Sequence, residues 1–488
     1  MSPIKSHNFL TRRSFLSRAG YAGLGAAAAT HTIRDLRLIG SAMAAQGPVT
    51  GYKALVCMFL SGGNDSNNWI VPTDTTTFND YTSIRGNLAL PNSSLLPLRT
   101  GPANGDPAYL DGDGHSYGLH PSCPRLQTLF GEDKLAFVMN VGTLVRPTTR
   151  AQYLSNNKFY TPPQLFSHSD QVTQWQTSIP DQPPTTGWGG RVSDLMNSVA
   201  NPSGNISMSV SLSGANTFEV GNLISQYHVS TSGAVVLSGD LMTGNSQRIR
   251  VMKNILALPH TNLQRSAVAD VNELAIATGD VLNTNISATA LDTYWTTPFP
   301  ATGLGSQLKM IARLIQARGP SGFDMKRQIF FCSAGGYDTH TSQVLVNGVN
   351  DPVNTAGAHY RLLDEVDKAL FAFQRAMEQL GVGNDVTTFS ASDFSRTLPT
   401  NSQGSDHGWG GHHIVAGGAV KGGQVYGHLP VFAINGPNDT GLGRWIPTLA
   451  VDQHSATLAK WFGVSPADMT TLFPNLSRFP TADLGFMI

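Results

Sequence analysis

From Lys53 to Leu60 the chain reads Lys-Ala-Leu-Val-Cys-Met-Phe-Leu and then breaks into Ser61-Gly62-Gly63-Asn64-Asp65. A short apolar run closed by turn residues predicts a buried strand that ends in a tight loop. Gln328 to Cys332 repeats the pattern and runs into Gly335-Gly336-Tyr337-Asp338-Thr339-His340. Val386 to Ala391 repeats it again, ending in Ser392-Asp393-Phe394-Ser395-Arg396-Thr397. Between these two strands Leu362, Leu363, Val366, Leu370, Phe373, Met377 and Leu380 recur every three or four positions, which predicts an amphipathic helix from His359 to Leu380. A second helix of this kind is predicted over Leu308 to Ala317. A strand-helix-strand crossover of this length makes the two strands parallel and the connection right-handed. Both polar loops then leave the sheet at one edge, where open parallel sheets bind ligands. The pattern is that of a doubly wound α/β core. From Gly187 to about Pro300 it weakens, with a β-like run at Ile206 to Leu212 among helical pieces, so an insertion or cap is expected over roughly 190–300.

The N-terminus follows a different logic. Thr11-Arg12-Arg13-Ser14-Phe15-Leu16 precedes a weakly apolar run from Ala19 to Thr30, and Ala42-Met43-Ala44 suits a signal peptidase. Charged region, apolar region and small-residue site stand in the order that twin-arginine export requires. The apolar run is well short of the roughly 20 residues a membrane-spanning helix needs. Residues 1–45 therefore read as a bacterial twin-arginine signal peptide and 46–488 as the folded part, located in the periplasm or outside the cell. Arg34, Asp35 and Arg37 lie between the apolar run and the cleavage site, an unusual place for charges.

Composition narrows the function classes. Charged residues are 13% of the chain and the formal net charge is zero, which argues against a broad electrostatic surface for nucleic acid or anionic lipid, and no segment after the leader has 18 consecutive apolar residues, so no permanent membrane span is expected. Fifty glycines and 28 prolines without a period point to many structured loops. Cys57, Cys123 and Cys332 read as buried thiols, since two of them sit inside apolar strand-like runs.

If the first strand joins the same sheet in parallel, Asp65, Asp338 and Asp393 all lie just past strand ends on one edge. Nearby loops add His340, Asp406-His407 and His412-His413. Thr339 separates Asp338 from His340, so an extended loop turns both to one side. His412 and His413 are neighbours on a predicted strand and face opposite ways, so one of them reaches a site. Mixed imidazoles and carboxylates suit zinc, manganese or iron. Ser167, in Leu165-Phe166-Ser167-His168-Ser169-Asp170-Gln171, stands at the start of a predicted helix, where free backbone amides favour an attacking oxyanion and a bound phosphate; Ser167 or Ser169 also reads as a plain N-cap. Arg396 and Arg191 are candidates to hold an anionic group. Asp111-Gly112-Asp113-Gly114-His115 lacks the closing Glu of a calcium loop and reads as a turn.

The loop motifs already quoted, together with Phe59-Leu60-Ser61-Gly62-Gly63-Asn64-Asp65, Leu119-His120-Pro121, Ser167-His168, Gly187-Trp188-Gly189-Gly190-Arg191, Gly404-Ser405-Asp406-His407-Gly408 and Gly417 to Gly423, are similar to a large bacterial family of twin-arginine-exported proteins, the domain of unknown function numbered fifteen-oh-one. That family is grouped with the alkaline phosphatase-like superfamily, which includes sulfatases and cofactor-independent phosphoglycerate mutases. The resemblance implies an alkaline phosphatase-like α/β/α sandwich with a mostly parallel central sheet and a cap, and a hydrolytic site with two divalent metal ions, zinc, manganese or similar. By chain order Asp65 resembles the first-strand metal ligand, Ser167 the nucleophile, and Asp338 and His340 the Asp and His before a late Asp-His pair. Either Asp393 or Asp406-His407 stands for that pair, and His412 is a further metal candidate. The Asp338 to His340 spacing is shorter than the superfamily's usual one, which leaves a one-metal or inactive member open.

The implied function is a metal-dependent hydrolase of a phosphate or sulfate ester, with Ser167 attacking and Arg396 balancing charge. Its implied partners are a small anionic ester and, during export, the twin-arginine translocase. The absence of an evident Cys/Ser-x-Pro-x-Arg motif lowers the sulfatase option. The alternative is a non-enzymatic exported binding or cell-surface assembly protein that retains the fold.

Overall fold

The computed structural model describes residues 49–98, 114–202, 206–234, 247–258, 262–288 and 294–488; the expected signal peptide and Asp111 to Asp113 lie outside them. The main sheet is built, in chain order, from β1 (Lys53–Leu60), β2 (Leu135–Gly142), β3 (Ser209–Ser211), β4 (Tyr227–Ser230), β5 (Gly233–Ala234), β6 (Arg327–Ala334), β7 (Val386–Ser392), β8 (Gly411–Ala416), β9 (Val425–Tyr426) and β10 (Leu449–Ala450). Their order across the sheet is β9-β2-β8-β7-β1-β6-β3-β4-β5, with β10 also paired to β2.

β1 lies at the centre and runs parallel to both β7 and β6. Every residue from Ala54 to Leu60 is buried, as an unbroken apolar run requires when both faces of a strand are covered. Register decides what this strand does for function. Leu60 pairs with Ser392 on one side and Ala334 on the other, so β7, β1 and β6 end at one level and release their three polar loops side by side. β3 and β4 continue the sheet in parallel beyond β6. Within residues 190–300, expected as an insertion or cap, these two strands therefore belong to the main sheet. β8 runs antiparallel to β7 and to β2, which makes the sheet mixed.

The α-helices of five or more residues are α1 (Thr75–Arg85), α2 (Pro124–Gly131), α3 (Arg150–Leu154), α4 (His168–Thr177), α5 (Trp188–Ala200), α6 (Gln247–Leu256), α7 (Leu263–Ala288), α8 (Gly303–Gln316), α9 (Ala358–Gln379) and α10 (Val451–Phe462). They form layers on both sides of the sheet: α8, α9 and α2 pack together and onto β6 and β2, while α4, α5 and α10 pack onto β7, β6, β3 and β1. This is an α/β/α sandwich. α9 buries Leu363, Val366, Leu370, Phe373 and Met377, the stripe its periodicity predicted, and each such side chain stabilises by about 1.5–3 kcal/mol. The hydroxyl of Thr302 starts α8 by accepting from Gly305 N–H. Cys57, Cys123 and Cys332 are buried free thiols. Among the described residues no helix is long and apolar enough to cross a membrane.

Candidate metal centre

The three loops released by β1, β6 and β7 touch because glycine stands where they cross. Gly62 adopts φ +117°, and a Cβ there would lie 2.4 Å from the backbone nitrogen of Asp338. The stretch after β7 folds back on itself: Thr397 N–H donates to the Asp406 carbonyl at 2.9 Å and Gly408 N–H to the Ser395 carbonyl at 2.7 Å. Arg396 and His407 thereby form a β-bridge, and His407 returns to the place from which Asp393 departs. The fourth contributor is α4, whose first residue is His168.

Three imidazoles and a carboxylate meet above these loops. His407 Nε2 is 2.8 Å from His340 Nε2 and 3.1 Å from His168 Nε2. Asp338 Oδ1 lies 3.2 Å from His340 Nε2 and 3.4 Å from His407 Nε2, and Asp338 Oδ2 lies 3.5 Å from His168 Nε2. Each ring is held from behind through Nδ1: His168 by Asp393 Oδ2 at 2.6 Å, His340 by Asp406 Oδ1 at 3.0 Å, and His407 by the Phe166 carbonyl at 2.8 Å. Phe166 reaches that carbonyl position with φ 71°, a left-handed conformation that a bulky side chain rarely adopts. The ring of Phe394 packs, tilted, against those of His168 and His407, with centroids at 4.7 and 4.6 Å.

This network decides where the protons are. An acceptor behind each Nδ1 places the N–H there and leaves the Nε2 lone pair facing inward, an assignment that follows from the hydrogen bonds. Ligand atoms of His168, Asp338 and His407 then lie within 4.8 Å of one another, and His340 Nε2 adjoins those of His407 and Asp338. Burial, with repulsion from His168, Arg396 and His340, holds His407 below the usual imidazole range despite the Phe166 carbonyl. Burial raises the Asp338 carboxyl, but the Arg396 guanidinium, assisted by His168 and His340, more than offsets this and keeps it low and ionised. Imidazoles and a carboxylate with an acceptor behind each ring suit a zinc-class divalent ion, and His168, Asp338 and His407 each offer a ligand atom within 4.8 Å of the others, so the residues present fit the kind of metal that the family resemblance implies.

The structure brings Asp338, His340, Asp393, Asp406 and His407 together in distinct positions. Asp338, His340 and His407 face the centre, whereas Asp393 and Asp406 stand behind histidines. Asp393, wholly buried, also accepts from Gly62 N–H at 2.9 Å. Asp65 is elsewhere: fully buried, it pairs with the Arg85 guanidinium and accepts from Gln343. Burial raises its carboxyl and Arg85, His359 and Gln343 bring it back below the ordinary range. His412 also lies apart, at a bulge between β8 and β2, where its Nδ1 accepts from Asn140 N–H at 3.1 Å. His413 is buried against Trp175.

Arg396, expected at the substrate, is instead enclosed by protein. It binds the carbonyls of Gly62, Gly63, Tyr337 and Ser405 as well as Asp338, so it clamps the loops and orients one ligand. Arg191 is likewise buried, among the carbonyls of Thr177, Thr186 and Leu472. Ser167 is the N-cap residue of α4 by position, and its hydroxyl lies 2.6 Å from Asp170 Oδ2. Among the described residues no hydroxyl bonds to any of the four converging side chains. Sequence reading missed two groups. His168 stands in a motif whose local signal points to its serine, and Arg444 carries no local signal. Arg444 Nε donates to the His407 carbonyl at 2.7 Å, its guanidinium lies over the Phe166 ring, and its charge helps to hold the Asp406 carboxyl below the ordinary range.

Among solved structures, a phosphonate monoester hydrolase of Agrobacterium radiobacter is 10% identical over 84% of this chain and 74% of its own, with a TM-score of 0.29. A structure from work on glycosaminoglycan metabolism by Bacteroides thetaiotaomicron is 9% identical over 85% and 73%, with a TM-score of 0.32. A 2-O GAG sulfatase is 10% identical over 87% and 75%, with a TM-score of 0.29. No curated protein matches the sequence. Residues 52–439 match the model of the family described as protein of unknown function (DUF1501), and the chain belongs to that family.

Proposed function

We propose that this chain is an exported hydrolase of phosphate or sulfate esters, of the alkaline phosphatase-like kind, that works with one divalent ion held by His168, Asp338, His340 and His407. The observation that carries the reading is the convergence of three Nε2 atoms and Asp338 with every Nδ1 engaged. Asp65, the residue that would serve a second ion, is committed to Arg85, which favours one ion over the two that family resemblance implies. When bound, the ion would polarise an ester oxygen and offset its charge. The protein's own groups do the rest. Asp393, Asp406 and the Phe166 carbonyl hold the rings in place, and Arg396 holds Asp338. Arg444, half-exposed beside His407, offers its terminal nitrogens to an anionic ester group through charge-assisted hydrogen bonds. Ser167, next to His168, is the proposed nucleophile: its oxygen bonds the phosphorus or sulfur as the bond to the ester's alkoxide breaks, its proton passes by way of Asp170 to that alkoxide, and water then frees the serine. The twin-arginine route, which moves folded proteins, suits a site that is loaded before export.

Metal analysis of the purified chain, with a panel of chromogenic phosphate and sulfate esters, tests the reading. One zinc or manganese per chain is expected, together with ester hydrolysis that His168→Ala and Ser167→Ala each lower by more than about a hundredfold. A metal-free protein overturns it. A metal-loaded protein that turns over no ester also overturns it, in favour of an exported binding or surface-assembly protein. Export is read separately: Arg12→Lys with Arg13→Lys leaves the precursor in the cytoplasm if the leader acts as proposed.

A further inference from the structure

Two segments border the metal centre on the His407 side. Residues 144–166 end at Phe166, whose carbonyl holds His407, and residues 427–447 contain Arg444, which holds the His407 carbonyl and covers the Phe166 ring at 4.3 Å. They are joined by Arg150 Nη2, which donates to Asn435 Oδ1 at 2.8 Å, and by Tyr153, which packs with Leu165 and Phe166 on Trp409 and Ile446. Together they make a collar beside the mouth of the site.

Two features of this collar coincide. Five of the exposed large apolar side chains among the described residues are on it, namely Leu154, Phe159, Val431, Ile434 and Leu442, with Leu442 61% exposed. The same two segments carry Arg146, whose guanidinium lies over the Phe159 ring at 3.3 Å, Arg150, which donates to Asn435, the exposed Lys158, and Arg444. Residues 144–166 contain no Asp or Glu, and the single acid of 427–447, Asp439, is buried and accepts from the backbone N–H of Asn435 and Arg444. The carboxylates at the site mouth, Asp338 and Asp406, are engaged by Arg396 and His340. In a chain of zero formal net charge this is a local excess of cations interleaved with apolar side chains. That composition suits the boundary between headgroups and acyl chains of an anionic bilayer: the apolar groups enter the boundary and the cations meet the headgroups. An electrostatic surface for nucleic acid has no use for the exposed Leu and Ile.

We propose that this collar docks the protein on the surface of an anionic lipid bilayer, which sets the metal centre at headgroup level. The proposal rests on the collar and stands whether or not the chain hydrolyses esters. It is tested by sedimentation of the full, metal-loaded chain with phosphatidylcholine vesicles prepared with and without phosphatidylglycerol. Binding about tenfold tighter to the anionic vesicles and weakened by salt is expected. The pair Phe159→Ser and Leu442→Ser, and separately Lys158→Glu, should each reduce binding about tenfold or more. Val251→Ser with Ile255→Ser, on the exposed apolar face of α6, should leave it unchanged. All these positions are exposed, so unfolding midpoints should match the wild type. No vesicle binding, equal binding to both vesicle types, or loss with the α6 pair overturns the proposal. Self-association abolished by the collar substitutions without vesicle binding also overturns it, in favour of a second copy of the chain.

Discussion

His168, His340 and His407 cannot turn away from one another, because each is gripped at Nδ1 by a group outside the cluster. Ring orientation is therefore set by Asp393, Asp406 and a carbonyl. Losing such an outer partner typically lowers metal affinity 10–100-fold. Asp393→Asn is expected to weaken zinc binding by about that factor, and His168→Ala to abolish stoichiometric binding, as measured by competition with a chromogenic chelator. Equal affinity in Asp393→Asn and wild type would show that the carboxylate does not orient the ring. A second residue-scale consequence concerns pH. Asp452, buried at the start of α10 with no side-chain partner, is pushed up by burial to about 8. Below the ordinary carboxylate value both folded and unfolded states carry the proton. As pH rises from about 4 to about 8 the unfolded state releases it while the folded state keeps it, so stability falls across that window. Glu219, also raised to about 8, acts in the same direction. His454, lowered by burial to about 3, costs stability in the opposite sense, as pH falls from 6.5 toward 3. Asp452→Asn should raise the unfolding midpoint at pH 8, by at least about 1 kcal/mol, and leave it unchanged at pH 4 in thermal or urea unfolding.

At the scale of elements, the site exists because β7, β1 and β6 end at one level and their loops touch through Gly62. Gly62→Ala meets both a positive φ and the Asp338 nitrogen. A loss of about 1–3 kcal/mol in urea unfolding is expected, with reduced metal content in the protein that folds. An unchanged metal content would mean that the β6 loop holds its position without this contact. β1, β6, β7 and α9 were legible in the sequence for a simple reason. A strand buried on both faces must be apolar at successive positions, and a helix buried on one face must repeat every three or four. β3 was less legible because Ser209, Val210 and Ser211 are buried by neighbours rather than by their own character. The bulge of β8 that takes His412 out of the site left no sequence signal, since it depends on Asn140 across the ladder.

For the whole molecule, the candidate metal centre draws together α4, the loop after β6 and the loop after β7, so an ion bound there would couple to global stability. At a concentration one hundred times its dissociation constant a ligand stabilises by about 2.7 kcal/mol. Removing the ion with a chelator should lower the unfolding midpoint of the wild type and leave that of His168→Ala unmoved. A wild type indifferent to chelation would show that the four side chains hold no ion in solution. Its sequence by itself determined the central strands, the long helix, the polar character of the loops and three of the four inward-facing groups, Asp338, His340 and His407. Those follow from hydrophobic patterning and residue chemistry, which are written locally. Tertiary structure alone decided that His168 joins them, that Asp393 and Asp406 stand behind rings, and that Asp65 and Arg396 are taken up by protein. The reason is distance along the chain: Asp393 meets His168 across 225 residues and Asp338 meets Arg396 across 58, and an ionisable group's role is set by the partner it finds.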